Sequence, residues 1–203
     1  MSGNLLPWPF GDLAPAGYRL VLADPPWAWK ARGATGYGKS PEAHYTTQRL
    51  GWIKSLPVRD LAHPDGAACV MWATAPLLPE AVETMRSWGF TFKSAGAWGK
   101  QSKTGAKLAF GTGYLYRSAA EFWLLGTIGR PVQTSRSIRN LILAPVREHS
   151  RKPDQMHTDL EALFAGPRCE LFAREARPGW ATWGNQPDHF TAAEAAMETP
   201  HVQ

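Results

Sequence analysis

An α/β fold, a mostly parallel sheet with helices on both faces, is predicted for this chain by three observations. Short apolar runs of strand length alternate along the sequence with segments of helical spacing. Strands interleaved in this way with helices of about ten residues imply a sheet covered on both faces. Finally, 203 residues at 44% hydrophobic and 19% charged composition, with no repeat and no Pro/Gly/Ser linker, make one domain of ordinary size.

The elements follow in order. Tyr18 to Ala23 is an apolar run closed abruptly by Asp24-Pro25-Pro26, a buried strand that two prolines end. Gly66 to Thr74 (GAACVMWAT) is a second strand. Pro79 to Trp88 carries Ala81, Val82, Met85 and Trp88 at helical spacing, with Gly89 as its stop. Phe90 to Trp98, Glu121 to Thr127 and the short run Asn140 to Ala144 read as strands. Asp154 to Phe164 reads as a helix between Pro153 and Gly166, and Arg168 to Ala173 and Ala181 to Trp183 as closing strands. Ligands of such sheets bind at the carboxyl ends of strands.

The expected organisation is an N-terminal extension over 1–17, a domain over 18–190 and a flexible tail over 191–203. No apolar run approaches the roughly 20 residues of a spanning helix, and Met1 to Phe10 lacks a secretory pattern, so no membrane and a cytoplasmic location are expected. Cys69 and Cys169 stand far apart without paired ligands and read as small core residues. His44 and His149 have no convergent partners, so no metal site is expected. The net charge is +5, but Gly99 to Lys152 holds ten basic residues against two acids, Glu121 and Glu148. Positive charge is therefore concentrated mid-chain, fitting either an approach to phosphates or a solvated face.

Asp24-Pro25-Pro26-Trp27 is the most specific feature. Neither proline has an N–H, so the corner offers a carboxylate and carbonyl acceptors with two competing donors missing. The exocyclic amine of adenine is a poor nucleophile because its lone pair is delocalised. Two acceptors on its hydrogens, Asp24 and the Pro25 carbonyl, would draw the nitrogen toward the geometry of attack, an effect worth about 10²–10³ in rate per contact. Trp27 is expected to give the base a stacking face, worth about 1–3 kcal/mol, and a base in duplex must be flipped out to reach it. The bland alternative is a rigid turn with a packed aromatic residue.

The chain resembles the adenine-N6 methyltransferases typified by the catalytic subunit of the eukaryotic mRNA methylase, with many bacterial and phage members. The matching stretches, in the family's order, are LADPPW (22–27), HYTT (44–47), GTGYLYRSAAEFWLLG (111–126), RNLILAPVREHSRKPD (139–154) and ELFAREARPGWATWGNQ (170–186). The resemblance implies a Rossmann-like fold using S-adenosylmethionine. By it, Asp24, Pro25, Pro26 and Trp27 are the catalytic motif and Tyr45 an aromatic gate beside the base. Asp24, Lys152, Arg174, Asn185 and Gln186 contact the cofactor, Lys152 its carboxylate and Asn185-Gln186 its ribose. Two departures stand out: Ala176 falls where the eukaryotic relative has a hydrogen-bonding pair, leaving Arg177 as its substitute, and Leu6 replaces an aspartate that holds the cofactor's adenine there.

Two basic, aromatic segments are candidate substrate grips: a flap with Lys30, Arg32, Lys39 and Tyr45, and a stretch with Lys100, Lys103, Lys107, Tyr114, Tyr116 and Arg117. With no insert for target recognition, discrimination is expected from loops or from a second subunit, a copy of this chain or a distinct partner. The expected activity is N6-adenine methylation, in DNA more than RNA. The alternatives are a non-catalytic nucleic-acid-binding subunit and a protein glutamine N-methyltransferase. Intact Asp24 and Trp27 weigh against the first, the basic middle against the second.

Overall fold

A computed structural model describes residues 7–28, 48–147 and 151–184. The chain order is β1 (Leu20–Ala23), α1 (Leu50–Ser55), β2 (Gly66–Ala73), α2 (Leu78–Ser87), β3 (Thr91–Gln101), β4 (Ala120–Gly129), β5 (Leu141–Pro145), α3 (Gln155–Leu163), β6 (Arg168–Leu171) and β7 (Ala181–Trp183). The strands form one sheet in the order β5-β3-β4-β2-β1-β6-β7. Each strand read from sequence is in it.

Only β4 runs against the others, pairing antiparallel with both β2 and β3, while β1–β2, β1–β6, β3–β5 and β6–β7 are parallel. The reason is in the connection: residues 102–119 contain no helix, so the chain leaves β3 and re-enters the sheet from the same edge. The short helix α1 carries no long apolar stripe, so the sequence pattern does not predict it. It buries one side chain, Ile53.

Chain direction explains the two faces. From β1 the sheet first grows through β2 toward β5, then α3 carries the chain back to β6 on the other side of β1. Right-handed crossovers in opposite directions place their helices on opposite faces. Accordingly Ile53 of α1 and Ala81 and Met85 of α2 share a core with Val21, Cys69, Met71 and Leu171. Met156 and Leu160 of α3 share the other with Leu20, Leu22, Val70, Trp72, Trp98 and Trp123. β1 is the central spine, all four residues being at most 1% exposed. The order of the sheet reverses between β1 and β6, and such reversals open a crevice at the carboxyl edge. Asp24 stands there.

Cys69 and Cys169 are free and wholly buried, as expected. Trp72, Trp88, Trp98 and Trp123 are core residues. Residues 7–17 lie against the same core: Phe10 is 1% exposed and meets Trp183 edge-to-face at 5.2 Å. Among the described residues no helix is long and apolar enough to cross a membrane, and no group of ligating side chains could hold a metal.

Candidate active site

The site begins where β1 must stop. Asp24 makes the last ladder bond, its N–H donating to the Leu171 carbonyl at 3.4 Å, and the two prolines that follow can donate none. Trp27 N–H donates back to the Pro25 carbonyl at 2.8 Å, closing a three-residue turn, and Gln48 N–H donates to the Pro26 carbonyl at 2.9 Å. The Pro25 oxygen retains one lone pair for a further donor.

Trp27 differs from its expected role. Its ring is 7% exposed and packed in the core, and its indole N–H donates to the Trp72 carbonyl at 3.1 Å across to β2. The indole clamps the corner to the neighbouring strand instead of presenting an open stacking face. A large aromatic ring with one donor satisfies both the core and the orphan carbonyl, which explains tryptophan at this position.

Asp24 does not stand alone. Lys152, just ahead of α3, donates to its Oδ2 at 2.8 Å and to Glu121 of β4 at 3.0 Å. Lys100 of β3 donates to the other Glu121 oxygen at 2.9 Å. Lys152 also lies 5.4 Å over the Trp72 ring, and Lys100 5.0 Å over Trp98. Two carboxylates and two ammoniums thus alternate in a neutral row along the carboxyl edge, over a floor of tryptophans.

The row sets the protonation of its members. Burial pushes the Asp24 carboxyl above its ordinary value; Lys152 pulls the other way, Glu121 adds to the rise, and Arg174 acts with Lys152. Burial also opposes ionisation of Glu121, but Lys152 and Lys100 outweigh it and hold that carboxyl down at about 2. Lys152 is likewise held above the ordinary lysine value, its desolvation outweighed by Asp24 and Glu121.

A pH prediction follows from Glu121. Its folded value lies below the ordinary one, so its contribution is fully present above pH 4.5 and is lost as pH falls toward 2. Between about pH 5 and pH 2 the wild type should lose on the order of 3 kcal/mol more stability than Glu121→Gln, measured by urea unfolding at each pH.

Arg174 reaches the site through a left-handed residue. Phe172, directly after β6, has φ of 62°, a conformation costing an L-residue about 1–2 kcal/mol. Its ring is held by Trp183 at 5.3 Å and Trp52 at 6.4 Å, and Ala173 N–H then donates to the Trp183 carbonyl at 3.0 Å. Arg177, expected to replace a missing cofactor contact, is committed elsewhere: its guanidinium binds Asp154 and, at 3.0 Å, Glu175. Arg151 binds Glu175 at 3.2 Å and Arg147 binds Asp154 at 2.5 Å, so this network fastens the segment bearing Lys152 to the one bearing Arg174.

Lys103, Lys107 and Arg117 are exposed on the β3–β4 connection, with Tyr114 79% and Tyr116 90% exposed beside them. That connection leaves the sheet at the edge where Asp24 stands. Lys100 departs from this set: expected to grip substrate, it is turned onto Glu121 because a half-buried carboxylate beside it is a nearer partner than solvent-borne phosphate. Lys30, Arg32, Lys39, Tyr45, Asn185 and Gln186 lie outside the described residues. Glu121 was missed as a site residue; its signal was a charged side chain opening an otherwise apolar strand.

The sequence model of the MT-A70 family matches residues 18–186. The chain belongs to the MT-A70 family. An Arabidopsis thaliana N(6)-adenosine-methyltransferase MT-A70-like protein is 31% identical over 173 residues, which cover 83% of this chain and 24% of that protein. The human N(6)-adenosine-methyltransferase catalytic subunit METTL3 is 28% identical over 176 residues, 84% of this chain and 28% of that one. The type II methyltransferase M.MunI of a Mycoplasma species is 29% identical over 197 residues, 86% of this chain and 80% of that protein. The chain thus spans about a quarter of the length of the plant and human relatives.

Membership of the MT-A70 family implies S-adenosylmethionine as methyl donor. The donor set fits that molecule's charged tail: a carboxylate to meet an ammonium at Asp24, and cations to meet a carboxylate at Lys152 and Arg174. The Lys152 ammonium has three N–H groups, of which Asp24 and Glu121 take two.

Proposed function

We propose that this chain transfers a methyl group from S-adenosylmethionine to the exocyclic amine of adenine in DNA. The observation that carries the reading is the Asp24 carboxylate at the end of β1, beside a Pro25 carbonyl with a lone pair to spare and bonded to Lys152. Lys152 and Arg174 would hold the cofactor's carboxylate, and Asn185 and Gln186 its ribose. Bound there, the cofactor supplies an electrophilic methyl group on a sulfonium.

The chain's own groups prepare the nucleophile. Asp24 and the Pro25 carbonyl accept the two N–H bonds of the amine, localising its lone pair toward the methyl. As the C–N bond forms, the methyl–sulfur bond breaking with it to leave a neutral thioether, positive charge would grow on nitrogen beside a fixed carboxylate, which costs no reorganisation at that moment. Burial raises the proton affinity of Asp24, which suits it to receive the proton the nitrogen sheds. Trp27 keeps the corner at its angle by its bond to Trp72. Lys103, Lys107, Tyr114, Tyr116 and Arg117 flank that edge as cations and rings suited to phosphates and unstacked bases.

DNA is preferred to RNA because the match to a type II methyltransferase runs over four-fifths of that protein, against about a quarter of the adenosine methyltransferases. The test is to incubate the protein with methyl-labelled cofactor and separate DNA and RNA oligonucleotides, then identify the labelled nucleoside. N6-methyladenine in DNA is expected. Label on adenine in RNA alone corrects the substrate, and cofactor binding without transfer to either overturns the reading.

A further inference from the structure

We infer that Lys100 is a positioning residue for methyl transfer, acting through Glu121 and Lys152 on the Asp24 carboxylate, and is not a phosphate contact. The inference rests on the reading of Asp24 as the methyl-transfer corner. It goes beyond that reading by giving the mid-chain basic segment two separate jobs: Lys103, Lys107 and Arg117 face outward toward a polyanion, while Lys100 turns inward.

The geometry is a row of three contacts. Lys100 to Glu121 is 2.9 Å, Glu121 to Lys152 is 3.0 Å, and Lys152 to Asp24 is 2.8 Å. The first link joins the most exposed member of the row, Lys100 at 29%, to an enclosed carboxylate. Glu121 is 14% and Lys152 13% exposed, so the water that could stand in for a lost partner is scarce. Lys100 is fixed from behind as well, over the ring of Trp98, whose own indole N–H is tied to the Ala144 carbonyl of β5 at 2.9 Å.

Removing the Lys100 charge has two consequences by elementary electrostatics. Glu121 is left with Lys152 as its sole bonded cation in this row, so it draws that ammonium toward itself and away from Asp24. The row also changes from neutral to a net charge of −1, which makes a proton on Asp24 more favourable. The charged groups acting on Asp24 are Lys152 from the segment ahead of α3, Glu121 from β4 and Arg174 after β6. Of these, Glu121 already favours the protonated form, and Lys100 is what offsets it. Since the amine needs Asp24 ionised, the acid limb of the pH–rate profile must move to higher pH.

The experiment compares Lys100→Met, which keeps the stem over Trp98, with Lys100→Arg and with Lys103→Ala on an adenine-containing DNA duplex. The wild type is assayed beside them, and its failure to methylate any polynucleotide would count against the proposed function rather than against Lys100. Lys100→Met is expected to lower kcat about tenfold or more at pH 7 and to move the acid limb of kcat/KM up by about one pH unit. KM for DNA and its salt dependence should stay within about twofold of wild type. Lys100→Arg should restore the limb, while Lys103→Ala should raise KM and lessen the salt slope by about one. The double variant Lys100→Met/Glu121→Gln serves also if the single variant does not fold, since it leaves no carboxylate without its cation. It should be no worse than Glu121→Gln alone. A Lys100→Met enzyme with raised KM, a lessened salt slope and an unmoved acid limb, or a double variant whose losses simply add, overturns the inference.

Discussion

Asp24→Asn is expected to lower kcat by at least about 10³ while leaving the protein as resistant to urea as the wild type, or slightly more so. The substitution keeps size and shape, so the effect is one of hydrogen-bond polarity. Lys152 donates to one carboxylate oxygen of Asp24. An asparagine must turn its carbonyl toward that ammonium, which aims its NH₂ at the substrate amine and sets donor against donor. The opposite rotamer sets the NH₂ against Lys152. Either way one contact becomes repulsive, and the negative charge that balances the growing charge on nitrogen is gone.

Stability moves the other way. The folded-state value of Asp24 is raised, so its charge at neutral pH costs the fold free energy relative to the unfolded chain, and a neutral side chain removes that cost. Single-turnover transfer of labelled methyl and urea unfolding at pH 7 measure the two effects on one preparation. An Asp24→Asn enzyme within tenfold of wild-type activity would remove the carboxylate from the mechanism.

The same corner shows what a linear sequence discloses and what it withholds. Asp24-Pro25-Pro26 was legible because the logic is local: an apolar run, then residues that cannot donate to a ladder, then a carboxylate. The central strands were legible because β1 and β2 are apolar runs bounded by turn residues, whereas β3, 11 residues with Lys93 and Ser94 in its exposed first half, was marked mainly by its apolar end. The direction of β4 needed the length and helix-free character of residues 102–119 to be weighed as a connection. Partners were hidden for a different reason. Glu121 and Lys100 are 21 positions apart, and Asp24 and Lys152 are 128 apart. Antiparallel pairing of β4 with β3 and the return of the chain to β6 bring them together, and no local pattern encodes that. Composition counted Lys100 among cations available to phosphate and Glu121 as a minority acid, whereas folding pairs them. Trp27 misled in a related way: an aromatic residue after a catalytic motif suggests stacking, but the carbonyl of Trp72 that claims its N–H lies on another strand.

Lys152→Met is the second large effect, and it separates catalysis from stability by the sign of its pH dependence. Lys152 is the ammonium that Asp24 and Glu121 share. Without it Glu121 keeps Lys100, but Asp24 loses a bonded cation and faces Glu121 across the space the ammonium filled. Activity at pH 7 should fall about 10²–10³-fold, because the carboxylate is both less ionised and less well aimed. Stability at pH 7 should fall by about 3 kcal/mol or more, the usual cost of stranding one member of a buried pair. The loss should shrink on acidification. In the variant the folded value of Asp24 rises further above the unfolded one, so the fold is favoured below the unfolded value and penalised progressively as pH rises through that window. In the wild type Asp24 is raised less and Glu121 is held down by two cations instead of one, so protonation below pH 4.5 weakens the wild type more than the variant. Urea unfolding at about pH 4, 5.5 and 7 should therefore show the gap between the two proteins widening with pH. A gap that is constant across the range would mean that Lys152 supports the fold by packing on Trp72 alone, since only a charge it compensates can make its absence depend on protonation.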